Sequence, residues 1–301
     1  MQNFDGRIDI QIDTFLKNDQ SVSLEVPRVS IDDLTPKRFH HEFQRPGKPV
    51  IITGALGKAA PLQIETVVAL VGDHEVPVRN YGALRFTRPK TEWKKYCEMQ
   101  IRKIKDYCDL LLNGVAKQEH MYLALVEMGN TPLRSVIGPG IDLIAERTGL
   151  QKEEPNDVNL WMGPSGHIEP LHFDGLDGTL SQFRGSKKVS LFRPGLSSSL
   201  YPFKLNSGLP PTFSQPYIDK PDFETFPNLR KALAERQNVI LNEGETLYIP
   251  LGWWHEVEAL GDDYIASVNR FWKVAPVWRI AFAPRAGAFY LLSKLMSKTI
   301  K

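Results

Sequence analysis

Three side chains of this sequence could together hold a divalent metal ion. His172 and Asp174 stand two positions apart in the run EPLHFDGLDG (169–178). Alternate side chains of a strand lie on the same face, so both groups would point the same way while Phe173 packs opposite. His255 follows a later apolar strand and a Pro-Leu-Gly turn, in ETLYIPLGWWHEVEA. Two histidines and a carboxylate are the ligand set of non-haem iron(II) oxygenases, which keeps coordination positions open for a cosubstrate and dioxygen.

The same three residues also fit a structural role. His172 and Asp174 could form a buried ion pair, and an isolated histidine such as His255 is more often a hydrogen-bonded core residue than a ligand. The metal interpretation becomes the better one when the His172–Asp174 pair and His255 are placed on widely separated strands of one β-rich domain. Four other histidines have no partner motif, and we expect them to be structural: His40, His41, His74 and His120.

The second half of the chain predicts a β-rich scaffold for these ligands. From Asp157 onward, short runs rich in β-branched and aromatic residues are separated by Gly, Pro and Asp turns. Many short strands at such spacing are typical of a β-sandwich or barrel. The runs are 157–163, 168–175, 178–185, 187–195, 238–250, 253–260 and 264–272. One irregular insert, 194–228, has the length of a segment that covers or lines a site.

The remainder of the chain mixes helices with strands. Thr35 followed by Pro36 is a strong helix start, because threonine caps the helix and proline fits its first turn. The polar stretch 99–113 predicts an amphipathic helix that ends just before Gly114. Beyond Pro276 the sequence again predicts helices.

Composition places the chain among ordinary globular proteins. It has 301 residues, of which 42% are hydrophobic and 24% charged, enough to bury a full core. A net charge of +2 gives no bias toward nucleic acid or an anionic membrane. The two cysteines, Cys97 and Cys108, are too few for a disulfide framework, which favours a reducing, cytoplasmic setting.

The sequence shows no sign of a membrane segment. Its first residues lack the apolar core of a signal peptide. The most apolar stretch, 280–296, is interrupted by Pro284, Arg285 and Lys294, and falls short of the ~20 uncharged residues of a membrane span. We therefore expect a soluble protein.

The assembled motifs resemble the JmjC/cupin-like iron(II)- and 2-oxoglutarate-dependent oxygenases, in particular the factor-inhibiting-HIF-like and small JmjC hydroxylase subgroup. PLHFD…SQFRGSKKVSLFRP (170–194) is similar to the first metal strand and following hairpin of that family. GETLYIPLGWWHEV…SVNRFW (244–272) is similar to its closing strands, and RPGKPVIITGAL (45–56) to its entry segment.

This resemblance implies a mainly β fold with flanking helices, built on a double-stranded β-helix, or jelly-roll, barrel. The oxygenase domain would span residues 1–275, with a mixed α/β N-terminal elaboration and a core at about 120–273. Residues 276–301 would form C-terminal helices. In related hydroxylases such helices form a homodimer interface, although they could instead pack on the barrel of their own chain.

Carried over residue by residue, the resemblance implies that His172, Asp174 and His255 bind the iron. Lys187, in GSKKVSLF, matches the lysine that pairs with the distal carboxylate of 2-oxoglutarate. A buried dicarboxylate needs such a fixed cation to offset its desolvation. The neighbouring Lys188 is the rival for this role.

Further residues are candidates for the cosubstrate pocket. Asn269 matches a polar residue of that pocket, and Tyr122 matches a tyrosine that hydrogen-bonds the same carboxylate, although each could equally be a structural residue. Close relatives often carry asparagine six positions after the first metal histidine, where this chain has Gly178. Thr179 or Gln182 could take its place.

A second departure from the family pattern is Glu169. Some relatives have threonine at this position, three before His172, near the cosubstrate carboxylate. A carboxylate there would repel another unless it points away or is paired. Three tryptophans could wall the site or belong to the core: Trp161, Trp253 and Trp254.

The resemblance implies hydroxylation of a C–H bond with iron(II), 2-oxoglutarate and dioxygen. A peptide or protein side chain is the first expectation for the substrate, and a small molecule, such as an amino acid or a natural-product intermediate, is the second. A modified tRNA base comes third, because the chain has no dense basic patch. Histone lysine demethylation ranks lower, because the sequence shows no zinc finger or reader module. The alternative to an enzyme is a non-catalytic cupin that binds a partner or a metal. A change in one of the three metal ligands would support that alternative.

Overall fold

Thirteen strands form the framework of the described part of the molecule. The computed structural model describes residues 25–82, 88–92, 97–153 and 157–299. Its strands are β1 (Arg28–Ser30), β2 (Val50–Thr53), β3 (Glu75–Asn80), β4 (Glu98–Lys103), β5 (Met121–Glu127), β6 (Asn159–Pro164), β7 (Ile168–Phe173), β8 (Asp177–Arg184), β9 (Ser186–Phe192), β10 (Gln237–Leu241), β11 (Thr246–Ile249), β12 (Trp254–Leu260) and β13 (Tyr264–Trp272). The first 24 residues, on which the signal-peptide expectation rests, and the last two lie outside the described residues.

Helices flank the strands on the N-terminal side and at the C-terminal end. They are α1 (Pro36–Phe39), α2 (Ile64–Val71), α3 (Ile104–Leu112), α4 (Val115–Gln118), α5 (Arg134–Thr148), α6 (Leu229–Ala234) and α7 (Pro284–Thr299). As predicted, Thr35 caps α1 by accepting a hydrogen bond from the amide of Arg38 at 3.2 Å. Among the described helices, none combines the length and apolarity needed to cross a membrane.

The strands form two sheets that pack face to face. The large sheet has the order β1-β2-β11-β8-β13-β6-β5-β3-β4, and the small sheet the order β10-β9-β12-β7. All seven strand runs predicted after Asp157 are confirmed as β6 to β13. Strands β6 to β13 divide between the two sheets as in a jelly-roll. This confirms the prediction of a mainly β fold with flanking helices. The strands form two facing sheets rather than one closed barrel.

Apolar side chains from both sheets fill the space between them. Strand β8 is buried along nearly its whole length because it is covered on both faces. The cluster between the sheets contains Val26, Ile51, Leu180, Val189, Leu191, Val239, Leu241, Leu247, Ile249, Trp253 and Val257. A larger cluster joins the outer face of the large sheet to the N-terminal helices. These two layers hold the sheets rigidly enough to position side chains between them.

The helix predicted for 99–113 is wrong in its first third. Residues Glu98–Lys103 form β4, which pairs antiparallel with β3, and α3 begins only at Ile104. Because β4 lies at the sheet edge, Met99 and Ile101 are exposed. The backbone of β4 pairs with β3, a strand that lies about 20 residues earlier in the chain. A local hydrophobic pattern carries no information about such a partner.

The insert 194–228 lies against the end of β7. Phe213 forms an antiparallel bridge with His172 at the end of β7. Lys90 holds the insert in place from the other side: its buried ammonium donates to the carbonyl of Ser214 at 3.1 Å and to that of Pro216 at 2.8 Å. The segment therefore reaches the first of the candidate metal ligands.

A buried carboxylate ties the C-terminal segment to the sheets. Asp177, at the start of β8, accepts hydrogen bonds from Arg279 Nη1 at 2.7 Å, from the Tyr248 hydroxyl at 2.9 Å and from the amide of Leu251 at 2.8 Å. Both Asp177 and Arg279 are buried. The three donors offset the desolvation of this carboxylate.

We expect Arg279→Ala to lower the free energy of unfolding by about 3–5 kcal/mol, because it leaves Asp177 buried without its cation. Urea unfolding followed by circular dichroism measures the loss. Arg193→Ala is the matched control, since Arg193 pairs with Glu235 at 2.6 Å on an exposed surface and should cost below about 1 kcal/mol. Equal losses in the two variants would show that the buried pair does not anchor the segment.

Candidate metal centre

The first two candidate ligands lie where β7 ends. His172 is the penultimate residue of β7, and its Nδ1 lies 2.7 Å from the carbonyl oxygen of Pro170. An N–H at Nδ1 donating to that carbonyl leaves Nε2 unprotonated as a possible ligand. Asp174 follows directly after the strand, and its carbonyl accepts a hydrogen bond from the amide of Gly252 at 3.1 Å.

The third candidate ligand faces the first across the small sheet. His255 is the register partner of His172 in the antiparallel pair β12–β7, and the two imidazole rings lie 4.2 Å apart. The Nδ1 of His255 lies 3.1 Å from the carbonyl oxygen of Trp253, so its Nε2 is again the free nitrogen. Burial, followed by the nearby His172, lowers the pKa of His255 to about 4, which keeps the imidazole neutral.

The three side chains converge on one point. One nitrogen each from His172 and His255 and one carboxylate oxygen of Asp174 all lie within 4.8 Å of one another. The Nε2 of His255 is 3.7 Å from Asp174 Oδ2. Two imidazole nitrogens and one carboxylate at this separation can coordinate a divalent metal from one side and leave its other side open.

The cluster opens into a cavity of about 190 Å³ between the two sheets. Its walls combine a small number of charged and polar groups with apolar and aromatic side chains, as in small-molecule sites. The lining residues are Arg79, Tyr122, Leu125, Trp161, Glu169, His172, Asp174, Gly178, Thr179, Leu180, Lys187, Phe213, Ile249, His255, Val257, Asn269 and Phe271.

Comparison with known proteins agrees with this architecture. The sequence profile of the cupin-like domain family matches residues 36–276, which is most of the chain. The chain belongs to the cupin-like family. This confirms the resemblance to JmjC/cupin-like proteins at the level of the family, while the factor-inhibiting-HIF-like subgroup stays a prediction.

Individual relatives carry related names. The chain is 29% identical over 264 residues to lysine-specific demethylase 8 of Danio rerio, covering 83% of this chain and 58% of the relative. It is 28% identical over 249 residues to lysine-specific demethylase JMJ30 of Arabidopsis thaliana, covering 80% of this chain and 53% of the relative. JmjC domain-containing protein D of Dictyostelium discoideum is 39% identical over 113 residues, 38% of this chain and 25% of the relative. The chain thus spans about half the length of the two relatives that it matches over most of its own sequence.

The two rival lysines of this cupin-like domain point in opposite directions. Lys187 is buried in the cavity, and its ammonium donates to the Ser267 hydroxyl at 2.5 Å. Lys188, the next residue of β9, forms a half-exposed ion pair with Glu258 at 3.2 Å. Burial lowers the pKa of Lys187 to about 7, because removal from water disfavours its charged form.

Three other predicted pocket residues line the cavity: Asn269, Thr179 and Tyr122. Asn269 accepts a hydrogen bond from Trp161 Nε1 at 2.8 Å, and Thr179 accepts one from Trp272 Nε1 at 3.0 Å. Tyr122 is buried, and burial followed by the charge of Glu169 raises the pKa of its phenol, which therefore stays a hydrogen-bond donor. Gln182 does not line the cavity and instead donates to the carbonyl of Arg184.

Gly178 leaves the cavity open at the position where the family resemblance led us to expect asparagine. A Cβ atom built at Gly178 would meet its nearest neighbour, Phe271 Cδ1, at 3.8 Å, an ordinary contact distance. The glycine is therefore not imposed by the backbone or by crowding.

Of the three tryptophans that were candidates for the wall, only Trp161 lines the cavity. For the other two the alternative holds, because both belong to the core. Trp254 neighbours His255 on β12, and strand alternation turns it to the opposite face, where it packs on Phe173 with ring centroids 4.8 Å apart. Trp253 precedes the strand and donates to the carbonyl of Gly47 at 2.8 Å.

A β-bulge turns Glu169 into the cavity. His172 pairs with His255, whereas Glu169 pairs with Val257, so two residues of β7 face the single Glu256 of β12. Simple alternation would place a residue three positions before His172 on the other face; the extra residue brings it to the same face. The sequence shows no direct signal for this reversal.

The buried Glu169 is paired. Its Oε1 lies 3.5 Å from Arg79 Nη1 on β3, and its Oε2 lies 3.6 Å from His167 Nε2. Burial alone would raise the pKa of Glu169, but the adjacent His167 and the charge of Arg79 hold this pKa well below its usual range. Sequence reasoning missed Arg79 and His167 because neither belongs to a motif.

We expect His255→Ala to lower the affinity for Mn(II), used as an air-stable substitute for Fe(II), by more than about 100-fold. Loss of a group that only hydrogen-bonds a metal ligand costs about 10–100-fold, and loss of the ligand itself should cost more. Isothermal titration calorimetry measures this affinity. His41→Ala is the control, since His41 is exposed on the N-terminal side, away from the cavity. Unchanged Mn(II) affinity in His255→Ala would exclude the three residues as a metal site.

Proposed function

We propose that this chain is an iron(II)- and 2-oxoglutarate-dependent oxygenase that hydroxylates a C–H bond. The observation that supports it best is the convergence of His172, Asp174 and His255 in a cavity that also contains the buried Lys187. Iron(II) held by two histidines and a carboxylate, together with bound 2-oxoglutarate, supplies the oxygen-activating chemistry.

The donor atoms fit iron(II). Both imidazoles direct Nδ1 to a backbone carbonyl, at Pro170 and at Trp253, which fixes ring orientation and tautomer. Divalent metals bind neutral imidazole, and burial already keeps His255 in that form. Asp174 supplies the negative charge that partly neutralises the ion.

Lys187 and Tyr122 would bind the far end of the cosubstrate. The distal carboxylate of 2-oxoglutarate would offset the desolvation of the Lys187 ammonium and restore its full charge. The protonated phenol of Tyr122 lines the same cavity and can donate to the same carboxylate. Thr179 and Asn269 would contact the cosubstrate or orient the tryptophans bonded to them.

The apolar walls exclude water from the reacting atoms. Leu180, Ile249 and Val257 come from the cluster between the sheets, and Phe213 stacks on His172 with ring centroids 5.0 Å apart. In such a low-dielectric site the fixed charges act more strongly than they would in water.

For the substrate we propose a peptide or protein side chain. A small molecule and a modified tRNA base are the alternatives of lower rank. A second reaction has specific support: two relatives are named lysine-specific demethylases. Hydroxylation of an N-methyl group gives a hydroxymethylamine that releases formaldehyde, so one C–H hydroxylation can account for either outcome.

We expect the purified chain with Fe(II) and dioxygen to convert 2-oxoglutarate to succinate at a slow uncoupled rate. Asp174→Ala should reduce this rate to the level of a protein-free control, because a metal-site carboxylate is lost. Succinate is measured by mass spectrometry, with His41→Ala as the matched variant. Absence of turnover in the unaltered chain that binds metal would favour the non-catalytic cupin alternative, and unchanged turnover in Asp174→Ala would overturn the assignment of the site.

Candidate substrates can be separated by mass. Incubation with peptide libraries should yield a product heavier by one oxygen atom if the reaction stops at hydroxylation. Methyl-lysine peptides should instead lose a methylene unit and release formaldehyde if demethylation is the reaction. Peptides left unmodified while free amino acids or tRNA fragments gain oxygen would replace the peptide proposal.

We also propose that the chain forms a homodimer through its C-terminal segment. Apolar side chains are exposed there, with Trp278 at 48% and Phe282 at 72% exposure. The inner side of the segment packs on the sheets through Arg279 and Ala286, so truncation would damage the core as well as the outer face.

Phe282→Asp is therefore expected to shift a dimer to the monomer mass in light scattering without loss of the fold, because it places a charge in an apolar contact. Leu205→Asp is the matched control, since Leu205 is 82% exposed in the insert. A monomeric unaltered chain, or a Phe282→Asp variant that stays dimeric, would contradict this interface.

A further inference from the structure

Glu169 places a negative charge in the part of the cavity that would receive an anion. It is buried, and it lines the cavity together with Lys187 and Tyr122. An uncompensated carboxylate there would repel an entering carboxylate and attract the lysine. The bulge in β7 that creates this arrangement belongs to a class of irregularity that often re-aims side chains beside active sites.

Arg79 supplies the compensating charge from another strand. Its Nη1 lies 3.5 Å from Glu169 Oε1 and donates to the Tyr81 hydroxyl at 3.3 Å. His167, which stacks flat on Tyr122 with ring centroids 3.6 Å apart, faces the other carboxylate oxygen. Both oxygens of Glu169 are thus turned toward Arg79 and His167.

Lys187 is held apart from this carboxylate. Its hydrogen bond goes to the Ser267 hydroxyl on β13, and among the described residues no carboxylate oxygen lies within 4.0 Å of its ammonium. The charge of Glu169 nevertheless acts on Lys187 across the cavity. Two cations and one internal carboxylate thus line the same cavity, and the carboxylate is paired with Arg79.

We propose that Glu169 is an internal competitor for Lys187, and that Arg79 is a positioning residue that holds Glu169 away so that Lys187 can bind the distal carboxylate of the cosubstrate. This inference rests on the proposed function. Arg79 acts through Glu169 and does not contact the cosubstrate directly. Removing Arg79 would leave the carboxylate free to pair with Lys187.

A double-mutant cycle with two ligands tests this arrangement. The full chain loaded with Mn(II) is titrated without turnover with 2-oxoglutarate and with 2-oxopentanoate, which has the same carbon chain but lacks the distal carboxylate. Isothermal titration calorimetry compares the unaltered chain with Arg79→Ala, Glu169→Gln and the double variant. Arg79→Lys keeps the cation, and Arg184→Ala removes an arginine that does not line the cavity.

We expect Arg79→Ala to weaken 2-oxoglutarate binding by about tenfold, since one opposing charge at this range is worth at least one pKa unit. Binding of 2-oxopentanoate should change less than about twofold. Glu169→Gln should bind 2-oxoglutarate at least as tightly as the unaltered chain, and the double variant should recover most of the loss. Arg79→Lys should stay near the unaltered affinity, and Arg184→Ala should have no effect.

Other outcomes overturn the proposal in distinguishable ways. A tenfold loss that persists in the double variant would mean that Arg79 contacts the cosubstrate directly. Equal losses for both ligands, or a lowered melting temperature in Arg79→Ala that Glu169→Gln does not restore, would mean a structural role. If the unaltered chain binds Mn(II) but not 2-oxoglutarate, the proposed function itself fails and this inference fails with it; Arg79 variants without effect refute the inference alone.

Discussion

The antiparallel pairing of β7 with β12 is the contact on which the rest of the site depends. It places His172 directly opposite His255, and it brings the end of β7, with Asp174, against the turn at Gly252. Cross-strand partners stand close enough for their side chains to share one ion. The insert adds Phe213 to His172, and the large sheet closes the opposite wall, so a single strand pair organises ligands, cavity and cover.

Several charged side chains around that strand pair are buried, and removal from water makes each such charge costly unless it is paired. Two buried carboxylates are compensated by groups from other elements: Asp177 by Arg279 and two hydroxyl or amide donors, and Glu169 by Arg79 and His167. Lys187 differs, because its partner is a neutral hydroxyl. A buried cation without a counter-ion is costly in isolation, and this makes the cavity suited to an anionic ligand.

Several features could be predicted from the sequence because they are local. The strand runs after Asp157 follow from alternating apolar residues and turn residues, and the spacing of His172 and Asp174 already implied a shared direction. His255 was a candidate from its place after a second apolar strand, Lys187 came from family resemblance, and the structure places both in the cavity. The same local alternation could have excluded Trp254 from the wall, since it neighbours an inward-facing ligand on one strand.

The sequence by itself determined the mainly β fold, the family and the candidate ligands, because periodicity and joined motifs are properties of neighbouring residues. Only the tertiary structure decided which face of β9 is inside, and therefore that Lys187 and not Lys188 enters the cavity. It also decided that Glu169 faces inward, through one extra residue in β7, and that Arg79 from β3 meets it. Register and long-range charge pairing depend on strands that are distant in sequence, and no local pattern records them.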